Sequence, residues 1–240
     1  MRIDIWSDFV CPFCYIGKRH LEMALSQFEH KGEVELVYRS FQLSMDTPKN
    51  INKDIHTIIS EKYGMSWAEA KKMNDGIVAQ AKTVGLEYNF DTMKPTNTAD
   101  AHRLAHYAKE FGKDKEITER LLKAYFTDSL NISEYETLAT LAEEVGLDKE
   151  KVKALLSEDT FMEDVQNDQA LAAQIGVRGV PFFVFNNKYA LSGAQPVGAF
   201  TELLQKVWDE EHTSKIQILN EQSKDEEKTA GVCTDDSCEF

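Results

Sequence analysis

Cys11-Pro12-Phe13-Cys14 is the segment of this chain best equipped to do chemistry. Two thiols separated by two residues can close a small disulfide ring. A short apolar run, Ile3-Asp4-Ile5-Trp6, precedes them, and the helical spacing of Ile16, Leu21, Leu25 and Phe28 follows. The first thiol therefore falls at a helix N-terminus, where unpaired N–H groups and the helix dipole favour a thiolate. Pro12 suits the first helical turn, where an N–H has no partner anyway. The rival chemistry is half of a zinc site, which calls for further Cys or His ligands close by. The next Cys is Cys233, so redox chemistry is favoured and no metal site is expected.

Cys233 and Cys238 form a second pair with four residues between them, enough for a local disulfide. From Glu221 to Phe240 the chain carries seven acidic and two basic residues, the composition of a flexible acidic extension. About 25 residues separate Trp208 from Cys233, and a flexible chain of that length reaches roughly 25–30 Å. A globule of this size has a radius of gyration of about 18 Å. The extension can then reach Cys11, and exchange between the two pairs is one reading. An independent exposed dithiol is another, and metal binding assisted by Asp235 and Asp236 is a third.

Other polar residues have plainer readings beside their chemical ones. His102 and His106 stand four apart on one helix face, a metal-ligand spacing without a third ligand. A packed or groove-lining histidine is the expectation, and His102 is the candidate for the groove. Asn97 and Thr98 read first as helix caps. Asp8 is either a loop cap or a group that tunes the thiols. Lys18, Arg19 and His20 lie one to two turns into the helix and read as a solvated face.

The elements that must position these residues are legible in the periodicity. A strand at 2–6, a helix at 12–30 and a strand from Val34 to about Phe41 make a β-α-β start. Val180 to Phe185 returns to strand, Asn186-Asn187 reads as a tight hairpin turn, and Lys188 to Leu191 completes the pair. A closing helix follows Pro196. Between these halves helical spacing dominates, at about 54–62, 66–85, 98–111, 115–127, 134–145, 149–156 and 160–175. Ser133 with Glu136 resembles a capping box, and Gly112, Gly146 and Gly176 mark helix ends. The fold class is thus α/β, with a large all-helical insertion after the second strand. The division is 1–44 for the first α/β half, 45–175 for the helical insertion, 176–210 for the second half and 211–240 for the acidic extension.

Composition narrows the function. The 240 residues are 42% hydrophobic and 28% charged, as in soluble globular proteins. A formal net charge of −14 argues against nucleic acid or an anionic membrane as partner. Met1-Arg2-Ile3-Asp4 leads directly into the first strand without a leader-like apolar region, so a cytoplasmic location is expected. Disulfides in that compartment tend to be transient and catalytic.

Residues 6–19, Trp-Ser-Asp-Phe-Val-Cys-Pro-Phe-Cys-Tyr-Ile-Gly-Lys-Arg, resemble the active-site segment of DsbA-like thioredoxin-fold proteins, of the FrnE-type branch in particular. Gly176-Val177-Arg178-Gly179-Val180-Pro181-Phe182-Phe183 is similar to that branch's cis-proline loop, and Ser192-Gly193-Ala194-Gln195-Pro196 to its following loop. The segment from Asn97 to Leu104 is similar to a stretch of its helical domain. The resemblance implies a thioredoxin fold and dithiol–disulfide exchange. Cys11 would be the nucleophile and Cys14 the resolving thiol. Pro181 would face them through a cis peptide, with Val180 offering backbone to an extended substrate. Pro12 and Phe13 would set the redox poise and touch substrate. Phe13 stands where such motifs often have His, which implies weaker thiolate stabilisation than in strongly oxidising relatives.

Glutathione-binding relatives use the region of Ser192 and Gly193 for the γ-glutamyl end, but no acidic partner for that amine is present. Glutathione is therefore a candidate co-substrate only, and no bound cofactor is expected. Isomerases and kappa-type transferases commonly have Ser at the first motif position, so two Cys favour redox chemistry. The leading expectation is a thiol–disulfide oxidoreductase of reductase or isomerase type. It would act on protein or small-molecule thiols and disulfides, with Cys233 and Cys238 as auxiliary thiols. The alternatives are a glutathione-dependent isomerase or transferase of the kappa or hydroxychromene-carboxylate type, and a non-enzymatic metal-binding or chaperone module.

Overall fold

The computed structural model describes residues 1–212 and the backbone of 233–234 and 237–238. Strand β1 (Arg2–Ser7) runs parallel to β2 (Glu35–Ser40) and antiparallel to β3 (Phe182–Phe185). β3 returns into β4 (Tyr189–Ser192), giving a four-stranded sheet in the order β2-β1-β3-β4. Asn186 and Asn187 make the turn with φ of 49° and 54°, the left-handed pair that a tight hairpin requires. β1 is an inner strand buried on both faces from Ile3 to Trp6. Alternation sends Ile3 and Ile5 to one face and Trp6 to the other.

Helices α1 (Pro12–Gln27) and α9 (Val197–His212) cover the Ile3–Ile5 face. Leu21, Phe28, Phe183, Phe185, Phe200 and Leu204 fill the space between. Between β2 and β3 the chain forms α2 (Ile55–Tyr63), α3 (Trp67–Lys82), α4 (Ala99–Lys109), α5 (Asp114–Phe126), α6 (Tyr135–Glu144), α7 (Lys149–Ser157) and α8 (Met162–Gln174). α8 covers the second sheet face, with Ala172 beside Trp6 and Val184. The other helices enclose a separate core around Leu104, Leu121, Phe126, Leu138 and Leu156, and Tyr15 and Ile16 of α1 belong to that core too. α1 therefore has one face in each core.

Two local expectations meet tertiary competition. Ser133 and Glu136 do not form a capping box: α6 starts at Tyr135 with Glu134 at the N-cap. The Ser133 hydroxyl instead donates to the Lys49 carbonyl at 2.9 Å, anchoring the long loop after β2. A capping box does form at Ser66 and Glu69, at the start of α3. Lys18 is also no solvated side chain; it is 7% exposed. Lys18 and Arg19 both pair with Glu119 of α5, and the Tyr15 hydroxyl donates to the same carboxylate. Gly112, Gly146 and Gly176 do end helices, with φ of 65°, 88° and 81°.

Arg103 of α4 is the deepest cation of the insertion, 2% exposed. It pairs with Asp100 at 2.8 Å and donates to the carbonyls of Leu155, Thr160 and Glu158. The guanidinium thus ties α4 to carbonyls at and just beyond the C-terminal end of α7. Of the acidic extension, the structure describes two short strands, β5 (Cys233–Thr234) and β6 (Ser237–Cys238), paired antiparallel with Cys233 opposite Cys238. The rest of that expectation lies outside the described residues.

Replacing Arg103 with Met should lower unfolding free energy by about 3 kcal/mol or more, because Asp100 and several carbonyls lose their partner together. Urea denaturation checks it. Burial pushes the Glu119 carboxyl up, but Arg19 and Lys18 outweigh it and hold the group at about 2. Its contribution to stability is therefore present above the usual 4.5 and is lost as pH falls towards 2. Glu119→Gln should flatten the acid limb of a stability–pH curve in that window.

Candidate active site

β1 ends at Ser7, and the chain then turns through Asp8, Phe9 and Val10 into α1. The Cys11 N–H donates to the Asp8 carbonyl at 3.1 Å, which closes this turn. Cys11 is the N-cap of α1 and Pro12 stands in the first turn. The Cys14 N–H donates back to the Cys11 carbonyl at 3.0 Å, so the second thiol lies one turn in. Both thiols are free and buried, Cys11 at 4% exposure and Cys14 at 3%. Phe13, between them, is 38% exposed at the surface beside the pair. The Tyr88 hydroxyl donates to the Pro12 carbonyl at 2.7 Å and ties the motif to the helical insertion.

The loop before β3 lies against the same helix end. The Val180–Pro181 peptide is cis, and the Cys11 thiol approaches the Val180 carbonyl at 3.4 Å. The Gly193 N–H donates to the Pro181 carbonyl at 2.8 Å, joining the two loops. Gly17 permits the approach: a Cβ there would stand 3.0 Å from the Pro181 side chain and 3.3 Å from Phe183. Ser192 is exposed at the end of β4, and its carbonyl accepts from the Gln195 amide. The Gln195 carbonyl meets His20 Nδ1 at 2.7 Å, so His20 braces this loop.

Burial pushes the Cys14 thiol well above its usual range, and the neighbouring Cys11 sulfur adds to the effect. The Ser7 hydroxyl and the Asp8 backbone pull part of the way back by hydrogen bonding. Asp8 is 1% exposed, and its Oδ2 accepts from the Leu43 N–H at 2.8 Å. It thus pins the loop after β2 to the motif. His102 is 3% exposed, packed on Phe9 with ring centroids 4.7 Å apart, and its Nε2 stands 3.4 Å from Asp8 Oδ1. The structure seats it against Phe9 and Asp8, in the turn that leads into the motif. His106 turns away to Ser40 and Asp168, and no cluster fit for a metal ion occurs among the described residues. Asn97 holds the carbonyls of Met45 and Thr47 and accepts from the Ala99 N–H, so it fastens the same loop and meets the first N–H of α4 from just before the Thr98 N-cap, whose own side chain makes no cap bond.

Cys11, Pro12, Phe13, Cys14, Val180 and Pro181 thus converge. Ser192 and Gly193 flank them on the adjoining loop. Ser7, Gly17 and Tyr88 belong to the constellation without having been singled out in the sequence. Gly17 had a signal, a glycine inside a helical pattern. Tyr88 had none, because its role depends on a contact 76 residues away. Cys233 and Cys238 are described in backbone only.

The arrangement has relatives. A family model described as the DSBA-like thioredoxin domain matches residues 2–205. The protein YwbO of Bacillus subtilis (strain 168) is 30% identical over 219 residues, covering 90% of this chain and 99% of its own. A probable DsbA oxidoreductase from Streptomyces coelicolor is 37% identical with a TM-score of 0.84, covering 100% of this chain and 99% of that one. The cytosolic disulfide reductase DsbM of Pseudomonas aeruginosa shares the fold at 16% identity, with a TM-score of 0.61 over 86% of this chain and 98% of its own.

The raised Cys14 thiol should resist iodoacetamide at neutral pH and gain reactivity steeply in alkali, as peptide mass spectrometry of the reduced protein would show. Gly17→Val should force the Pro181 loop off α1 at a cost of about 1–3 kcal/mol in unfolding free energy. It should also slow disulfide exchange at Cys11 more than Gly17→Ala does.

Proposed function

The chain belongs to the DSBA-like thioredoxin domain family, and from that premise we propose that it is a thiol–disulfide oxidoreductase of the reductase or isomerase type. The observation that carries the reading is the placement of Cys11 at the N-terminus of α1, with its sulfur 3.4 Å from the Val180 carbonyl and Cys14 one turn behind. A disulfide substrate lying along Val180 in extended form would present a sulfur to Cys11. Attack by the Cys11 thiolate breaks the substrate S–S bond, releases one substrate thiol and leaves a mixed disulfide. Cys14 then attacks the Cys11 sulfur, and the second substrate thiol departs. Exposed Phe13 offers apolar contact to a substrate chain. Protein and small-molecule disulfides are both proposed as substrates, in the cytoplasm, with glutathione as a co-substrate rather than a resident ligand.

Cys233 and Cys238 are proposed as an auxiliary pair that exchanges with Cys11 and Cys14. Directly opposed residues in an antiparallel ladder stand about 4.5–5.5 Å apart at Cα, within the span of a disulfide. That supports the pair as a dithiol in its own right.

Equilibration in glutathione buffers of graded potential, with alkylation and peptide mass spectrometry, tests the reading. The Cys11–Cys14 couple is expected between about −270 and −200 mV, the range of thioredoxin and the glutaredoxins. A value near −120 mV would mean an oxidase, and absence of a Cys11–Cys14 bond would overturn the dithiol reading. Cys14→Ser should accumulate glutathione on Cys11. The Cys233→Ser/Cys238→Ser variant should slow turnover with oxidised glutathione, and unchanged turnover would remove the auxiliary role.

A further inference from the structure

One long-range hydrogen bond meets the peptide group that lies between the two thiols. The Tyr88 hydroxyl donates to the Pro12 carbonyl at 2.7 Å, across 76 residues of chain. Tyr88 stands in the irregular segment between α3 and α4. Its ring is buried, stacked on Phe126 with centroids 4.5 Å apart and met edge-on by Phe90 at 5.8 Å. The Asn89 N–H donates to the Phe126 carbonyl at 2.8 Å, so ring and backbone are both held against α5. The packing of the insertion therefore aims the hydroxyl at Pro12. Burial pushes the phenol above its usual range, so it stays a donor wherever the thiols titrate.

The Pro12 carbonyl is one half of a peptide group whose other half is the Phe13 N–H. Cys11 is the N-cap of α1 and makes no side-chain cap bond; its thiol lies against the Val180 carbonyl at 3.4 Å instead. The Cys14 N–H closes on the Cys11 carbonyl, while among the described residues the Phe13 N–H has no backbone partner. An N-cap side chain accepts from the second or third N–H of its helix, and the Phe13 N–H is the second. A Cys11 thiolate has no proton to give the Val180 carbonyl, and Phe13 offers it an open donor. Hydrogen bonds in series polarise one another, by about 10–30% per bond. A donor on the Pro12 oxygen thus makes the Phe13 N–H a better donor to sulfur.

We infer that Tyr88, through the Pro12–Phe13 peptide, stabilises the Cys11 thiolate and so sets how strongly the thiol pair holds its electrons. Tyr88 has this role only if Cys11 is the attacking thiol, as proposed above. It is a positioning residue, acting through a peptide group rather than on sulfur. A hydrogen bond made stronger to the thiolate than to the neutral thiol lowers the pH at which Cys11 ionises. It also favours the reduced pair over the disulfide, whose Cys11 sulfur carries no charge for the Phe13 N–H to meet. In exchange with glutathione, two glutathione thiols give their electrons to the Cys11–Cys14 bond. That bond breaks as the bond of oxidised glutathione forms. Cys14 keeps one of the two protons, and Cys11 leaves the other to solvent as it ionises. Tyr88 displaces this equilibrium towards the dithiol. The helical insertion thereby tunes a redox pair that belongs to the other half of the fold.

The test compares wild-type full-length protein with Tyr88→Phe, which removes the hydroxyl and keeps the ring. Iodoacetamide trapping across a pH series, read on the Cys11 peptide by mass spectrometry, gives the pH at which Cys11 ionises. Equilibration with reduced and oxidised glutathione gives the balance between the Cys11–Cys14 disulfide and the dithiol. Tyr88→Phe should move the Cys11 titration to higher pH and shift the balance about two- to fivefold towards the disulfide. A purely structural role would lower the stability of the oxidised and reduced proteins equally and move neither readout. Tyr88→3-fluorotyrosine, whose phenol is the stronger donor, should move the Cys11 titration the opposite way, which keeps the question open if Tyr88→Phe fails to fold. A folded Tyr88→Phe protein with wild-type titration and balance would overturn the role of Tyr88 and leave the dithiol reading intact. An unmoved titration in the fluorinated protein would do the same. If wild-type protein forms no Cys11–Cys14 bond, the dithiol reading fails, and the Cys11 titration alone decides for or against Tyr88.

Discussion

The seating of α1 is the constraint on which the rest of the molecule depends. Its N-terminus must carry Cys11 to the Val180 carbonyl, and its body must fill two cores at once. Leu21 and Ala24 close the core under the sheet, while Tyr15 and Ile16 enter the core of the helical insertion. Rotation of the helix to improve either contact would spoil the other and move both thiols. The Gly17 approach to Pro181 and the pairing of Lys18 and Arg19 with Glu119 lock the remaining freedom. A helix held from both sides is a fit mount for a reactive pair, because exchange needs sulfur positions set to within a few tenths of an ångström.

The insertion is therefore more than a covering. Tyr88 reaches the Pro12 carbonyl, Asn97 and Ser133 fasten the loop after β2, and Asp8 accepts from Leu43 within that loop. Each contact joins the motif to residues far away in the chain. The loop after β2 has little secondary structure of its own, so these hydrogen bonds decide where it lies. Exposed Leu43 and Met45 belong to it.

Buried charges hold the elements together. Arg103 pairs with Asp100 within α4 and reaches the loop after α7, and Arg39 of β2 bridges Asp4 of β1 to Asp168 of α8. Pairing of this density rigidifies a core.

The residue types and spacings alone determined much. Period-2 and period-3.6 patterns place the strands and helices, because burying one face of each element is a local requirement. Gly112, Gly146 and Gly176 end helices as expected, since a left-handed position is a property of the residue itself. The Cys-Pro-Phe-Cys motif and the Val180-Pro181 loop are legible as strings, and the resemblance to DsbA-like proteins rests on them. Tertiary structure decided what depended on distant partners. Ser133 gives up a cap for the Lys49 carbonyl, and Lys18 turns from solvent to Glu119. His102 packs against Asp8, a carboxylate 94 residues away in the chain. A contact across such a separation leaves no periodicity in the chain, and only the folded molecule assigns it.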